Sequence, residues 1–66
     1  MKNRLKVARA EADLTQEELA KLVGVSRQSI NAIESGRYVP STVLALKMAQ
    51  VFGKKVEELF MLEEED

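Results

Sequence analysis

Cysteine and histidine are both absent from the 66 residues of this chain. Without cysteine there is no disulfide, no thiolate metal site and no cysteine nucleophile, which is consistent with a reducing cytoplasm. Without histidine the chain lacks the commonest nitrogen ligand of zinc and the usual general base at neutral pH. The remaining carboxylates and lysines are scattered, so we expect a protein that is not an enzyme and binds neither a metal nor a cofactor.

Long apolar runs are missing as well. No segment approaches the roughly 18 to 20 apolar residues of a membrane span, and the charged start lacks the apolar stretch of a signal peptide. We therefore expect a soluble cytoplasmic protein without a membrane partner, and nothing in the sequence implies a small-molecule ligand. A chain of this length forms one domain, residues 1–66, and buries only about 60% of its unfolded surface.

The charge is divided unevenly along the chain. Residues 1–56 hold all ten Lys and Arg but only five of the eleven acids, a net charge of +5, whereas the last ten residues hold the other six acids and no base. The simplest interpretation of the acidic tail, residues 63–66 above all, is a solvated terminus that aids solubility. The alternative is a tail that keeps nucleic acid away from one face or shapes a dimer.

Apolar residues recur with helical spacing, and no segment alternates long enough to predict a convincing strand. The starts and stops are typical helix caps: Thr15 with Glu18 forms a capping box, and serine or glycine marks most other ends. The predicted helices begin and end near residues 2–13, 15–24, 26–36, 41–53 and 55–60. The fold class is therefore all-α, five short helices, with residues 61–66 either a short terminal strand or a frayed end.

Each predicted helix has one apolar face. The expected core residues are Leu5, Ala8, Ala12, Leu19, Leu22, Val23, Ile30, Ile33, Leu44, Met48, Val51, Val56, Leu59 and Phe60. Between residues 16 and 35 the pattern meets the requirements of a helix-turn-helix, with a small Ala20 where two helices cross and Gly24 in the turn. The alternative is an ordinary helix hairpin that carries the same pattern by chance.

The third helix exposes side chains that form several hydrogen bonds. At about 100° per residue, Gln28 and Asn31 lie opposite the buried Ile30 and Ile33, and Arg27 lies on the shoulder of the first turn. Arginine pairs with two acceptors of guanine, and glutamine or asparagine pairs with adenine in the same bidentate way. These residues are candidate base readers, and the alternative is that they are plain surface polar groups.

The motif "LTQEELAKLVGVSRQSINAIESGRYVPS", followed by "ALKMAQVFG" and "ELF", closely resembles the lambda-repressor and Cro type of helix-turn-helix regulators, the XRE-like group. The resemblance extends from Leu5 to Phe60 and is strongest to minimal stand-alone members. It implies a compact five-helix fold and a transcription regulator without catalysis. It also implies binding to the major groove of double-stranded DNA, with a homodimer on a palindromic operator and repression by occlusion as the default.

The resemblance also assigns roles to individual residues. It places Arg27, Gln28 and Asn31 at base-reading positions, whereas Ala32 departs from members with a polar reader there. The residues expected at the DNA backbone are Gln16, Ser26, Arg37 and Tyr38, with Gln16 near Gln28 and Tyr38 equally able to be a core residue. Glu34 points partly inward on the helical wheel and needs a partner. Similar family members pair it with an arginine at the position of Arg9, although composition alone makes Arg9 a candidate phosphate ligand.

The end of the chain predicts a second contact surface. Val56, Leu59, Phe60, Met61 and Leu62 are too dense for one helical face, which favours a homodimer interface formed by residues 59–62. The alternative is that Met61 and Leu62 fold back over their own core, as a strand against residues 1–3. A different functional class, an antitoxin-like or adaptor domain for protein interaction, remains the alternative to operator control.

Overall fold

Five helices and one pair of two-residue strands follow one another along residues 1–66 in the computed structural model. Their order is β1 (Lys2–Asn3), α1 (Leu5–Glu11), α2 (Gln16–Val23), α3 (Arg27–Glu34), α4 (Thr42–Phe52), α5 (Val56–Leu59) and β2 (Phe60–Met61). The predicted fold of five short helices is confirmed, although α1 begins at Leu5 and not near residue 2, where β1 lies. None of these helices combines the length and the apolar character needed to cross a membrane.

Side chains cap three helices at their amino-terminal ends. The hydroxyls of Thr15, Ser26 and Ser41 accept hydrogen bonds from backbone amides three residues further on. Each cap satisfies one of the amides that a helix leaves unpaired at its start. These three helix starts agree with the sequence prediction, because a cap is a contact between near neighbours in the chain.

The strand pair joins the two ends of the domain. β1 and β2 are antiparallel, with Lys2 opposite Met61 and Asn3 opposite Phe60. The helix therefore ends at Leu59, and the extended backbone that follows turns successive side chains to opposite faces. The dense apolar run at residues 59–62 thus has two faces available within one chain. Of the two alternatives for the end of the chain, a short strand or a frayed end, the structure has a short strand, at residues 60–61.

The core is small, with only 13 of 66 residues buried, so few contacts hold the helices together. Its apolar members are Leu5, Ala8, Leu19, Ala20, Val23, Ile30, Ile33, Leu44, Met48, Ala49, Leu59 and Phe60. Val51 and Val56 are partly buried against this core. The domain therefore depends on polar contacts between helices as well as on burial.

Two expected core residues lie outside it. Leu22 is 60% exposed, and Ala12, the residue after α1, is also exposed. The buried face of α2 is formed by Leu19, Ala20 and Val23. Leu22 lies roughly 100° from the centre of that face on a helical wheel, and the small Ala20 is buried instead. The spacing of apolar residues fits a buried face with Leu22 as well as one with Ala20. The prediction that Leu22 and Ala12 belong to the core was wrong.

The start of α2 contains a reciprocal cap. The Thr15 hydroxyl accepts a hydrogen bond from the Glu18 amide at 3.0 Å, and a Glu18 carboxylate oxygen accepts one from the Thr15 amide at 2.9 Å. The Thr15 amide, and then the Thr15 side chain, lower the pKa of the Glu18 carboxyl. The ionised form of Glu18 is thus the form that stabilises this helix start.

We expect this cap to make stability depend on pH. A carboxyl whose pKa is lowered by folding stabilises the fold above its ordinary pKa of about 4.3, and the contribution is lost as the pH falls through the folded value. The free energy of unfolding should therefore be higher in the wild-type chain than in Glu18→Gln near neutral pH, and the difference should vanish in acid. Urea unfolding at several pH values measures it, and a difference that stays constant with pH would contradict the role of the carboxylate.

Candidate nucleic-acid interface

A left-handed glycine sets the angle between α2 and α3. Gly24 has φ 76°, a conformation that is inexpensive only for glycine. The amides of Gly24 and Val25 both donate to the Ala20 carbonyl, at 2.9 and 3.0 Å. Ala20 is only 3% exposed, so the absence of a larger side chain allows α3 to pass close to α2. The turn and the crossing are therefore built from neighbouring residues.

The outward side of α3 carries the predicted base readers. Arg27, Gln28 and Asn31 are all exposed, while Ile30 and Ile33 on the opposite side are buried. The three exposed side chains and Arg37 line one depression of about 210 Å³. The structure therefore brings together the three residues named as base readers and one of the residues named as a backbone contact.

The other residues expected at the DNA backbone have varied surroundings. The Ser26 hydroxyl caps α3, at 3.1 Å from the Ser29 amide. The Gln16 side-chain nitrogen donates to a Glu34 carboxylate oxygen at 3.2 Å. Gln16 therefore bonds to the last residue of α3 and not to Gln28. Tyr38 is 53% exposed and is not a core residue. Tyr38 and Ser26 are therefore exposed, whereas Gln16 is only partly so.

Glu34 is the meeting point of three helices. Arg9 of α1 donates from Nε to Glu34 Oε2 at 2.7 Å and from Nη2 to Oε1 at 3.2 Å, while its Nη1 donates to the Leu14 carbonyl at 2.8 Å. Gln16 of α2 supplies a further donor to Oε1. The side chains of Arg9 and Glu34 are 17% and 7% exposed, and the hydrogen bond to Glu34 raises the pKa of the Arg9 guanidinium. Arg9 is thus committed to a contact inside the protein.

Asn3 holds the end of α3 and was not singled out by the sequence. Its side-chain nitrogen donates to the Ile33 carbonyl at 2.9 Å, and its side-chain oxygen accepts from the Leu5 amide at 3.1 Å. The bond from the Leu5 amide to the Asn3 side chain, two residues earlier, is an ordinary local turn of asparagine. The bond of Asn3 to a residue 30 positions away has no signal in the sequence, because it depends on where β1 lies.

The acidic tail folds against the start of the chain. The Met1 amino group lies 3.2 Å from an Asp66 carboxylate oxygen and 3.4 Å from one of Glu63. The Glu63 amide donates to Asp66 at 2.7 Å, and this hydrogen bond, followed by that of the Met1 amino group, lowers the pKa of the Asp66 carboxyl. Two of the four tail acids are therefore paired within the domain.

Two short helices joined by a glycine turn, with an exposed polar face on the second, define a helix-turn-helix DNA-binding domain. A helix-turn-helix family model matches residues 5–59. The chain belongs to this family, the XRE-type helix-turn-helix transcriptional regulators.

Individual relatives agree with this assignment. The chain is 56% identical over 66 residues to an uncharacterized HTH-type transcriptional regulator of Methanocaldococcus jannaschii, and the match covers all of both chains. It is 52% identical over 66 residues to the HTH-type transcriptional regulator YgzD of Bacillus subtilis, again over all of both chains. Among solved structures it resembles the restriction-modification controller protein C.AhdI from Aeromonas hydrophila, with 37% identity, 86% of each chain covered and a TM-score of 0.79.

We expect Glu34→Ala to destabilise the domain by about 3 kcal/mol or more, because it leaves the largely buried Arg9 without its partner. That is a large part of the roughly 5 to 15 kcal/mol that stabilises a typical domain. A matched control is Glu11→Ala, which removes the carboxylate of an exposed pair with Lys54 at 3.8 Å. The control should cost less than about 1 kcal/mol. Thermal or urea unfolding measures both variants, and equal stabilities would refute a structural role for the Arg9–Glu34 pair.

Proposed function

We propose that this regulator is a sequence-specific repressor that acts in the cytoplasm as a homodimer on a roughly palindromic operator, with α3 in the major groove. The observation that carries the proposal is the shared exposure of Arg27, Gln28 and Asn31 on one side of α3. Arg37 lies beside them in the same depression. Repression needs no further part, because a dimer that occupies an operator in a promoter excludes other proteins from it.

The position of each reader supports this assignment. Arg27 and Gln28 are the first two residues of α3, the turn that enters the groove in helix-turn-helix complexes. Arginine offers two donors in a fixed fork to the O6 and N7 acceptors of guanine. Glutamine offers one donor and one acceptor, the complement of the N7 and N6 groups of adenine. Two neighbouring side chains thus favour two different bases.

We expect Arg27→Ala and Gln28→Ala each to weaken operator binding by about 1–3 kcal/mol per half-site and to relax the preference at one base position. Binding to random duplex should change less. Lys54→Ala is the control, since Lys54 lines a groove between α1 and α5 and carries the same charge as Arg27. Fluorescence anisotropy with operator and random duplexes measures the effect, and equal losses on both DNAs would reduce the two residues to phosphate contacts.

Salt dependence distinguishes operator binding from an adaptor role. A protein that neutralises phosphates releases counterions, so its affinity for duplex DNA rises steeply as the salt concentration falls. An adaptor or antitoxin-like domain that acts through protein contacts alone would show little such dependence. Titration of mixed-sequence duplex at several salt concentrations therefore separates the two functional classes before any operator is known.

An apolar groove supports the homodimer. It has a volume of about 220 Å³ between α4, the loop before it and the strand pair, and six of its eight lining residues are apolar. Val39 and Leu46 lie on its rim and are 59% and 52% exposed. Val43, which lies on α4 as Leu46 does, is 62% exposed. A helix that carries apolar residues on both sides is usually covered on both sides. A second copy of the same chain is the simplest cover, because a twofold axis brings the same patch to both partners.

The groove alters the interface expected at residues 59–62. Leu59 and Phe60 are buried in their own domain, at 0% and 7% exposure, so they contribute at most the floor of the interface. Leu62 is 81% exposed, and one further step of the strand register places it opposite Met1, which lines the groove. We infer that Leu62 forms the rim at one end and Leu46 the rim at the other, whereas Met61 lines the groove between α1 and α5.

We expect the wild-type chain to sediment as a dimer at micromolar concentration and Leu46→Glu to sediment as a monomer, since a buried carboxylate in an apolar interface is strongly unfavourable. Leu22→Glu is the matched control, because Leu22 is 60% exposed on α2 and does not line the groove. It should remain dimeric. A monomeric wild type, with operator affinity unchanged by Leu46→Glu and Leu62→Glu, would refute the dimer.

A further inference from the structure

The residue after the left-handed Gly36 folds back along α3. Gly36 has φ 81°, and the Arg37 and Tyr38 amides both donate to the Ala32 carbonyl, at 3.0 and 3.2 Å. The backbone of Arg37 is therefore fixed to the last turn of α3. Because the loop reverses direction here, the Arg37 side chain lies along the exposed face of the helix and not beyond its end.

Hydrogen bonds at two points anchor the Arg37 guanidinium on that face. The Ser35 hydroxyl donates to the Ala32 carbonyl at 3.0 Å and accepts a hydrogen bond from Arg37 Nε at 3.0 Å. Arg37 Nη2 donates to the side-chain oxygen of Asn31 at 3.2 Å. The guanidinium is thus directed toward Asn31, one of the three residues that are expected to read bases.

This contact fixes the orientation of the Asn31 amide. A guanidinium has five N–H donors and no acceptor, so only the oxygen of Asn31 can face it. The Asn31 nitrogen, with two donors, is turned away from Arg37 and remains free, as does Nη1 of Arg37. The pair therefore offers donors and a positive charge to a ligand. Its only acceptor is the Asn31 oxygen, and one lone pair of that oxygen already accepts from Arg37.

We propose that Arg37 is a specificity-determining residue, which makes Asn31 read a base edge rich in acceptors, that of guanine, in place of the adenine pattern of a free asparagine. This inference rests on the proposed binding of operator DNA by α3. Guanine presents the acceptors O6 and N7 in the major groove, whereas adenine presents N7 beside the N6 donor. A donor-rich pair with a positive charge favours the first edge and is repelled by the N6 hydrogens of the second.

The test begins with an operator selected by the wild-type chain from a random duplex pool. Dissociation constants are then measured for duplexes that carry each of the four base pairs, in turn, at every half-site position. The proteins are the wild type, Asn31→Ala, Arg37→Ala, Arg37→Lys and the double variant Asn31→Ala/Arg37→Ala. Arg37→Lys keeps the charge but not the fork that reaches Ser35 and Asn31 at the same time. Arg37 and Asn31 are exposed, so the variants should fold, and circular dichroism checks this.

At one half-site position the wild type should prefer guanine to adenine by about fivefold or more. Asn31→Ala should abolish that preference, and Arg37→Ala should abolish it or reverse it toward adenine. Arg37→Lys should lose the preference for guanine. It should keep the wild-type salt dependence, because lysine retains the positive charge that attracts DNA phosphates. The double variant should match Asn31→Ala in base preference at that position, since the effect of Arg37 acts through Asn31.

Two results would overturn the inference, and they differ from each other. If Arg37→Ala and Arg37→Lys weaken binding to all four bases by the same factor, Arg37 contacts only phosphate, while the proposed operator function stands. If the wild type selects no sequence from the pool, the operator function itself fails and the inference fails with it.

Discussion

The carboxylate of Glu34 is the contact on which the rest of the domain depends. It is the last residue of α3, and it accepts hydrogen bonds from Arg9 of α1 and Gln16 of α2. A core of 13 buried residues offers few apolar contacts to set helix angles, so a directional polar contact among three helices matters more here than in a larger protein. A largely buried ion pair adds little net stability compared with an apolar replacement. We infer that its contribution is to hold α3 in one orientation relative to α1 and α2.

Apolar contacts hold the buried face of α3, and polar contacts hold its carboxyl end. Ile30 and Ile33 are buried in the core, and Asn3 and Glu34 fix the carboxyl end through polar contacts. The exposed face then carries Arg27, Gln28 and Asn31 on a helix that is fixed before DNA arrives. Such preorganisation lowers the conformational entropy that binding would otherwise lose.

The loop after α3 connects the proposed reading face to the proposed dimer face. The amides of Arg37 and Tyr38 are bonded to the Ala32 carbonyl, and Pro40, two residues after Tyr38, is buried. Val39 and Pro40 line the apolar groove, so only a few ordered residues separate α3 from the proposed twofold contact. A short, anchored connection of this kind would hold two copies of α3 at a defined separation, near the roughly 34 Å of one DNA turn.

The sequence by itself determined the features that depend on near neighbours. Thr15, Ser26 and Ser41 cap helices through bonds to residues three positions away, and the spacing of Ile30 and Ile33 defined both faces of α3. Tertiary structure decided what depends on distant surfaces: Gln16 turns to Glu34, Asn3 holds the Ile33 carbonyl, Leu22 faces outward, and Phe60 is buried while its run continues as a strand. Apolar spacing and side-chain chemistry allow several partners for each of these residues, and only the packing of the helices against one another selects one.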